Sequence, residues 1–235
     1  MLDSVLDVLF PPVCPLCEED VTDGFLCAAC SKAFSEDRIV EPFCHLCGTP
    51  FLHSPGPSHT CAECLKTPPP FKQARSAYTY GTGVDEAVRA FKYHGKSILS
   101  DALGELMSGT AASFPEKPDI IMPVPLHKKR LQARGFNQSL LLARVLSKRL
   151  SVKLDYLSLK RIRHTVQQID LKPDEREKNV AGAFEVSTGT DLRGRRVLLV
   201  DDVFTTGATI KECSKVLKRA GVEVYAVTLA RAGVS

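Results

Sequence analysis

The chain of 235 residues contains no tryptophan, and none of its apolar runs reaches the roughly 18 residues that cross a bilayer as a helix. The first absence removes the best side chain for stacking a nucleobase; Phe25, Phe34, Phe43 and Phe51 are the few aromatic rings in the early part of the chain. The second excludes a membrane-spanning helix. The opening Met1-Leu-Asp-Ser-Val-Leu-Asp-Val-Leu-Phe lacks the basic flank and cleavage site of a secretory signal, so a soluble, cytoplasmic protein is expected. Leu2, Val5, Leu6 and Leu9 instead fall at helical spacing and predict a short amphipathic helix packed on the body. A strong excess of charge is also missing, the formal net charge being +4. Residues 1–70 lack the aliphatic runs from which a hydrophobic core is built.

Cysteine is what that part has instead. Eight of nine form four Cys-x-x-Cys pairs: Cys14/Cys17, Cys27/Cys30, Cys44/Cys47 and Cys61/Cys64. Such a turn sets two thiolates on one side of a knuckle, and two knuckles close a tetrahedron around zinc. Two structural zinc ions are expected, replacing the missing core. Cys14 and Cys17 can join Cys27 and Cys30, with Cys44 and Cys47 joining Cys61 and Cys64; cross-braced pairing of alternate knuckles satisfies the spacing too. Disulfides are the competing reading, but they belong to oxidising compartments, and four redox-active pairs would be redundant. His45, His53 and His59 are potential ligands, although four complete pairs leave no vacancy. Cys213 is expected to be an ordinary core residue.

The stiff segment Thr67-Pro-Pro-Pro-Phe71 divides a zinc-ribbon domain, 1–70, from a second domain, 71–235, large enough to bury a full core. Strands are predicted at Gln73–Tyr80, Asp119–Pro125, Arg195–Val200 and Glu223–Leu229. Helices are predicted at Asp85–Tyr93, up to about Ser113, over about Asn137–Leu150, and through Ile210, Cys213, Val216, Leu217 and Ala220. This alternation implies a parallel sheet flanked by helices, an α/β fold, whose ligand lies beyond the carboxyl ends of the strands.

Residues 197–209 carry the most chemistry. The apolar run Val197–Val200 ends in Asp201 and Asp202; Thr205, Thr206, Gly207, Ala208 and Thr209 then open a helix. Small residues let the backbone approach an anion, and the first free N–H groups of the helix point at it. Two carboxylates beside such a cradle suit vicinal hydroxyls, as on a ribose 5-phosphate. The stretch resembles the 5-phosphoribosyl-1-pyrophosphate (PRPP) signature of type I phosphoribosyltransferases. That resemblance implies that the turn Pro123-Val-Pro-Leu-His127 is a pyrophosphate loop, with Leu126, His127 and Lys128 in place; Pro123 and Pro125 also read simply as strand terminators.

Residues 125–164 hold eleven Lys or Arg against the single acid Asp155. A cationic cleft suits PRPP; a solvated helix face accounts for Lys148, Arg149 and Lys153, and a nucleic-acid surface needs only such a stripe. Arg161, Arg163 and Arg176, with Gln167 and Gln168, lie in a polar stretch of the kind that folds over bound substrate to exclude water; an ordinary surface hairpin is the plain alternative. Asn137 is expected to cap its helix, and Arg134 to reach the same leaving group.

The cysteine knuckles, Phe91-Lys-Tyr-His-Gly95, Pro123-Val-Pro-Leu126, Arg134-Gly-Phe-Asn-Gln138 and Arg161-x-Arg-x-Thr165-x-x-Gln168 follow in that order, and Glu175-Arg176-x-x-Asn179-Val-x-Gly-Ala-Phe184 comes after them. Together they resemble the ComF/GntX family. The resemblance implies a double zinc ribbon on a type I phosphoribosyltransferase-like domain, PRPP and magnesium as ligands, and a link to competence, with single-stranded DNA and competence-machinery proteins as partners. It implies Asp201 and Asp202 on the ribose hydroxyls and Thr205–Thr209 on the 5-phosphate. Two classes of function stay open: a phosphoribosyltransferase whose acceptor no stretch names, with His94 a weak candidate base, and a nucleic-acid-handling protein that retains PRPP binding.

Overall fold

A computed structural model describes residues 13–21, 24–51, 56–93, 97–165 and 173–233. The predicted helix at Leu2–Leu9 and the residues His53, His94, Gln167 and Gln168 lie outside these. Five strands form one parallel sheet: β1 (Gln73–Thr79), β2 (Ile120–Pro123), β3 (Lys153–Leu154), β6 (Arg196–Phe204) and β7 (Glu223–Arg231), in the order β1-β7-β6-β2-β3. A two-stranded antiparallel pair, β4 (Leu159–Arg161) and β5 (Phe184–Val186), stands apart.

Period-two alternation divides β6 between two cores. Leu198 and Val200 pack with α3 (Thr82–Tyr93), α4 (Leu99–Ala112) and α6 (Gln138–Leu150); Val197 and Leu199 pack with α8 (Ala208–Arg219) and the β4–β5 pair. Burial on both faces explains why these strands read as continuous apolar runs. α4 and α6 approach closely because Gly104 faces Val145, whose side chain would lie 2.5 Å from any Cβ there. Asn137 caps α6 as expected, its side chain accepting from the Ser139 N–H.

Three elements differ from the sequence reading. β6 runs four residues past Val200, through the aspartates to Phe204. A short helix α5 (Lys128–Arg134) follows the Pro123–His127 turn; its sequence KKRLQAR has no apolar stripe, and its Leu131 is exposed, so periodicity carried no signal. The two ends of the 161–184 stretch pair as β4 and β5, as in the hairpin alternative, and a helix α7 (Pro173–Val180), which the sequence reading did not name, lies between them.

The cysteine-rich part is packed onto the sheet. Helix α1 (Ala28–Glu36) places Phe34 edge-on to Tyr78, ring centroids 5.1 Å apart, in the same core as α3. The Cys44–Cys47 knuckle lies along β1, where the Ala74 N–H donates to Leu46 O at 2.7 Å. A short helix α2 (Ala62–Lys66) carries Cys64 into the opposite core. Residues that cannot bury a core of their own therefore borrow the body's.

Candidate functional site

The eight paired cysteines form two groups, Cys14, Cys17, Cys27 and Cys30, and Cys44, Cys47, Cys61 and Cys64; within each, all sulfurs lie within 4.8 Å of one another. Pairing is sequential, not cross-braced. Sulfur separations of 3.4 Å (Cys17–Cys27), 3.6 Å (Cys17–Cys30) and 3.8 Å (Cys47–Cys61) are far beyond a disulfide bond of about 2.0 Å. They match the edge of a tetrahedron with Zn–S of about 2.3 Å, which is about 3.8 Å. Burial opposes ionisation of Cys44, but the backbone N–H groups of Cys61, Cys47 and Leu46 outweigh it and hold the thiol at about 6. Burial and the neighbouring Cys47 push Cys64 the other way. Cys14, at about 6, and Cys30, pushed up, repeat the pattern. Four thiolates so close ionise together only around a cation, and these two donor sets fit zinc.

The second centre lies at the carboxyl ends of β2 and β6. Gly207 ends the loop after β6 and caps α8 with φ of 73°, and a Cβ there would sit 2.3 Å from the Phe204 ring. Only glycine satisfies both conditions. The Ala208 N–H reaches Thr206 Oγ1 at 3.4 Å, and the Lys211 N–H donates to Gly207 O at 2.7 Å, closing the first turn. Thr205, Thr206 and Thr209 are partly exposed around this turn, with Ala208 buried beneath.

β6 continues to Phe204 and so carries both aspartates within the strand. Asp201 Oδ1 accepts from Ser139 Oγ at 2.8 Å and from the Asp202 N–H at 3.0 Å. Burial, then the adjacent Asp202 charge, push the Asp201 carboxyl up to about 7. Asp202 is buried on the α3 side, where Lys92 Nζ lies 3.0 Å from its Oδ2. Ser139 and Lys92 are thus the immediate neighbours of the aspartates. Sequence reasoning gave neither this role; the signals were the position of Ser139 two residues past a cap and that of Lys92 on the last turn of α3.

The turn after β2 is tied to the same place. The Val124 N–H donates to Val200 O at 2.9 Å, and Asn137 Nδ2 donates to Val124 O at 3.1 Å. His127 caps α5, accepting at Nδ1 from the Lys129 N–H at 3.3 Å, and its ring meets His164 at 5.2 Å. Burial, then the charges of His164 and Arg161, hold His127 below its ordinary value, consistent with an acceptor nitrogen. Arg161 is bonded to Thr165 Oγ1, lies against the Phe184 ring, and leaves its buried Nε without a hydrogen-bond partner. Its charge is felt by both Asp201 and Cys213. Cys213 is fully buried, and burial raises its thiol well above the usual range.

The structure therefore brings His127 and Arg161 close together, with His164, which the sequence reading had passed over, and sets Asp201 near enough to Arg161 for their charges to interact. Lys128 is exposed on the first turn of α5. Arg134 donates to Gln138 Oε1 at 2.8 Å. Arg163 is engaged elsewhere, donating to Asn179 O at 3.0 Å and Ala181 O at 2.6 Å at the end of α7. Among the described residues no helix is long and apolar enough to cross a membrane.

Residues 94–235 match the phosphoribosyl transferase domain family, and residues 5–65 match the double zinc ribbon domain. The chain is 32% identical to the DNA utilization protein YhgH of Escherichia coli K12, over 92% of this chain and 95% of that one. It is 32% identical to competence protein F of Haemophilus influenzae, over 88% and 90% respectively. With competence protein ComFC of Bacillus subtilis the identity is 28% over 93% and 95%.

Proposed function

Since the chain belongs to the phosphoribosyl transferase domain family and carries a double zinc ribbon, as its ComF-type relatives imply, we propose that it binds PRPP across the carboxyl ends of β2 and β6. The carrying observation is the glycine-capped turn at Thr205–Thr209, three residues after two carboxylates that end the central run of the sheet. In this reading the N–H groups at the start of α8 take the 5-phosphate. Asp201 and Asp202 take the ribose hydroxyls. The turn at Leu126, His127 and Lys128 faces the pyrophosphate, with Arg161 and Arg134 beside it.

The reaction such a site serves is pentosyl transfer. As pyrophosphate leaves, positive charge grows at C1, and fixed carboxylates stabilise it without reorganising. Ser139 holds Asp201 in place, and Lys92 ion-pairs with Asp202. Among the described residues the only groupings of three or more metal-ligating side chains are the cysteine clusters. Magnesium would therefore be held mainly by the substrate and water, screening the leaving group's charge.

Calorimetry with PRPP and magnesium tests this. Asp201→Asn combined with Asp202→Asn removes two charge-assisted contacts, at about 1.5–3 kcal/mol each, and is expected to weaken PRPP by at least about a hundredfold. A folded double variant that binds as the parent does would refute the assignment.

A second reading has its own support. The relatives are named for competence and DNA utilization, and Arg144, Lys148 and Lys153 are exposed on and after α6. Arg149 is less available, its Nε lying 2.5 Å from Glu105. In this reading single-stranded DNA binds along that face, with a salt dependence that loses about one unit of slope per phosphate-contacting residue removed. Neutralising Lys148 and Lys153 should weaken DNA and spare PRPP. Absence of salt-dependent binding at physiological ionic strength would end this reading.

A further inference from the structure

Arg231, the last residue of β7, is 8% exposed and joins two regions that the sequence keeps far apart. Its Nη1 donates to Cys47 O at 2.9 Å; its Nη2 donates to Thr49 Oγ1 at 2.6 Å and lies 3.9 Å from Cys47 Sγ. The same guanidinium sits over the Phe204 ring, 4.3 Å from its centroid. Phe204 is its register partner on β6, and that ring fills the space under Gly207. One side chain thus touches a metal-ligating cysteine directly and, through one ring, the glycine that opens the phosphate turn.

The knuckle is held rigidly enough to transmit this contact. Gly48, next to Cys47, has φ of 71°, and a Cβ there would lie 2.5 Å from Ala74 O. Arg75 Nη1 donates to His45 O at 3.1 Å. The guanidinium of Arg231 is buried against this knuckle, and the partly buried Arg75 lies beside it. Loss of the metal removes the bond that fixes Cys47, and with it the carbonyl and sulfur on which Arg231 rests. A buried guanidinium that loses its partners moves toward water, and Arg231 cannot move without releasing Phe204. The cluster of Cys14, Cys17, Cys27 and Cys30 has a different setting. It adjoins the opposite core, with Phe34 and Tyr78.

We propose that Arg231 is a positioning residue that couples the Cys44–Cys64 cluster to the phosphate turn, so that zinc retention there and anion binding at Thr205–Thr209 reinforce each other, while the Cys14–Cys30 cluster stands outside this linkage. The anion in this statement rests on the PRPP reading above; the coupling itself does not.

The experiment strips zinc gradually from the full chain with a zinc-selective chelator. Released cysteines are mapped by alkylation and mass spectrometry, and backbone exchange is followed by hydrogen–deuterium labelling. Protection of residues 205–211 should fall at least about tenfold as Cys44, Cys47, Cys61 and Cys64 become alkylated, and not as Cys14, Cys17, Cys27 and Cys30 do, with β2 and α4 still protected. Because coupling is reciprocal, PRPP with magnesium should slow alkylation of the second cluster by about tenfold and leave the first unchanged. Arg231→Lys keeps the charge but loses the fork; it should bind two zinc ions yet lose the PRPP effect on the second cluster. Phe204→Leu breaks the other link and should do the same, so it stands in if the arginine variant does not fold.

Unchanged exchange at 205–211 after the second cluster has opened, or a uniform loss of protection throughout the sheet, would overturn the coupling. Failure of the zinc-loaded parent to bind PRPP would instead overturn the ligand reading, and the exchange measurement would still decide the coupling.

Discussion

Asp201→Asn should make the protein more stable above neutral pH while damaging its ligand binding. Asp201 carries a charge the fold does not welcome: burial first, then the Asp202 carboxylate next to it, push its ionisation from the ordinary 3.8 up to about 7. The sign follows from proton linkage. Between these values the folded chain holds a proton that the unfolded chain has released, so stability falls as pH rises. The contribution is fully present below 3.8, is lost through about 7, and stays lost above. At about 1.4 kcal/mol for each tenfold, the interval sets an upper figure of about 4 kcal/mol. Lys92, the Ser139 hydroxyl and the Asp202 N–H, which all favour the charged form of Asp201, reduce the expected gain to about 1–2 kcal/mol at pH 8. Asparagine retains an oxygen to accept from Ser139 Oγ and the Asp202 N–H, so geometry is kept while charge is removed. For a chain of this length that gain corresponds to a melting temperature higher by about 2–8 °C. Thermal unfolding of both proteins in zinc-containing buffer at pH 5 and pH 8 provides the assay. The advantage of the variant should be larger at pH 8. A variant that is less stable than the parent at pH 8, or whose advantage does not change with pH, would show that Asp201 is not held against its own charge.

The two cysteine clusters should bind close to two equivalents of zinc, measured by metal analysis, and chelation should unfold residues 14–64; no zinc with mapped disulfides would refute this. Gly207→Ala adds a left-handed penalty of about 1–2 kcal/mol to a clash with Phe204 and should cost about 2–4 kcal/mol by denaturant unfolding. Gly182→Ala, also at positive φ but with nothing within 4 Å, serves as the control and should cost only the backbone part. Phe34→Ala should cost about 3–5 kcal/mol and lower the melting of the whole chain in one transition, because Phe34 and Tyr78 share a core; a separate early transition with the rest unchanged would show that the ribbon folds independently.

The residues most informative as sequence were those whose chemistry is local. Cys-x-x-Cys spacing is a property of one tight turn, so eight zinc ligands could be named without a fold. The strand Val197–Val200 and the glycine-containing turn after it are likewise local, since a central parallel strand is apolar throughout and a helix start needs small residues near an anion. Asn137 as a cap follows from its place before an apolar helical period. Alternation of such elements was enough to indicate a parallel α/β sheet.

Contacts between distant segments could not be read this way. Sequential rather than cross-braced metal pairing depends on how four knuckles are brought together, and spacing is the same in both cases. Where β6 ends depends on its pairing with β7 through Phe204 and Arg231, and that pairing keeps Asp201 and Asp202 within the strand, where Ser139 and Lys92 reach them from two different helices. Arg163 looked like a free cation until the end of α7 supplied carbonyls for it. The sequence by itself determined which residues offer thiol and carboxylate groups and where small residues open a helix, because those depend on residue type and a few bonds of chain. Tertiary structure alone decided which of them meet, because burial, counter-charge and strand register are set by segments as distant as Cys47 and Arg231.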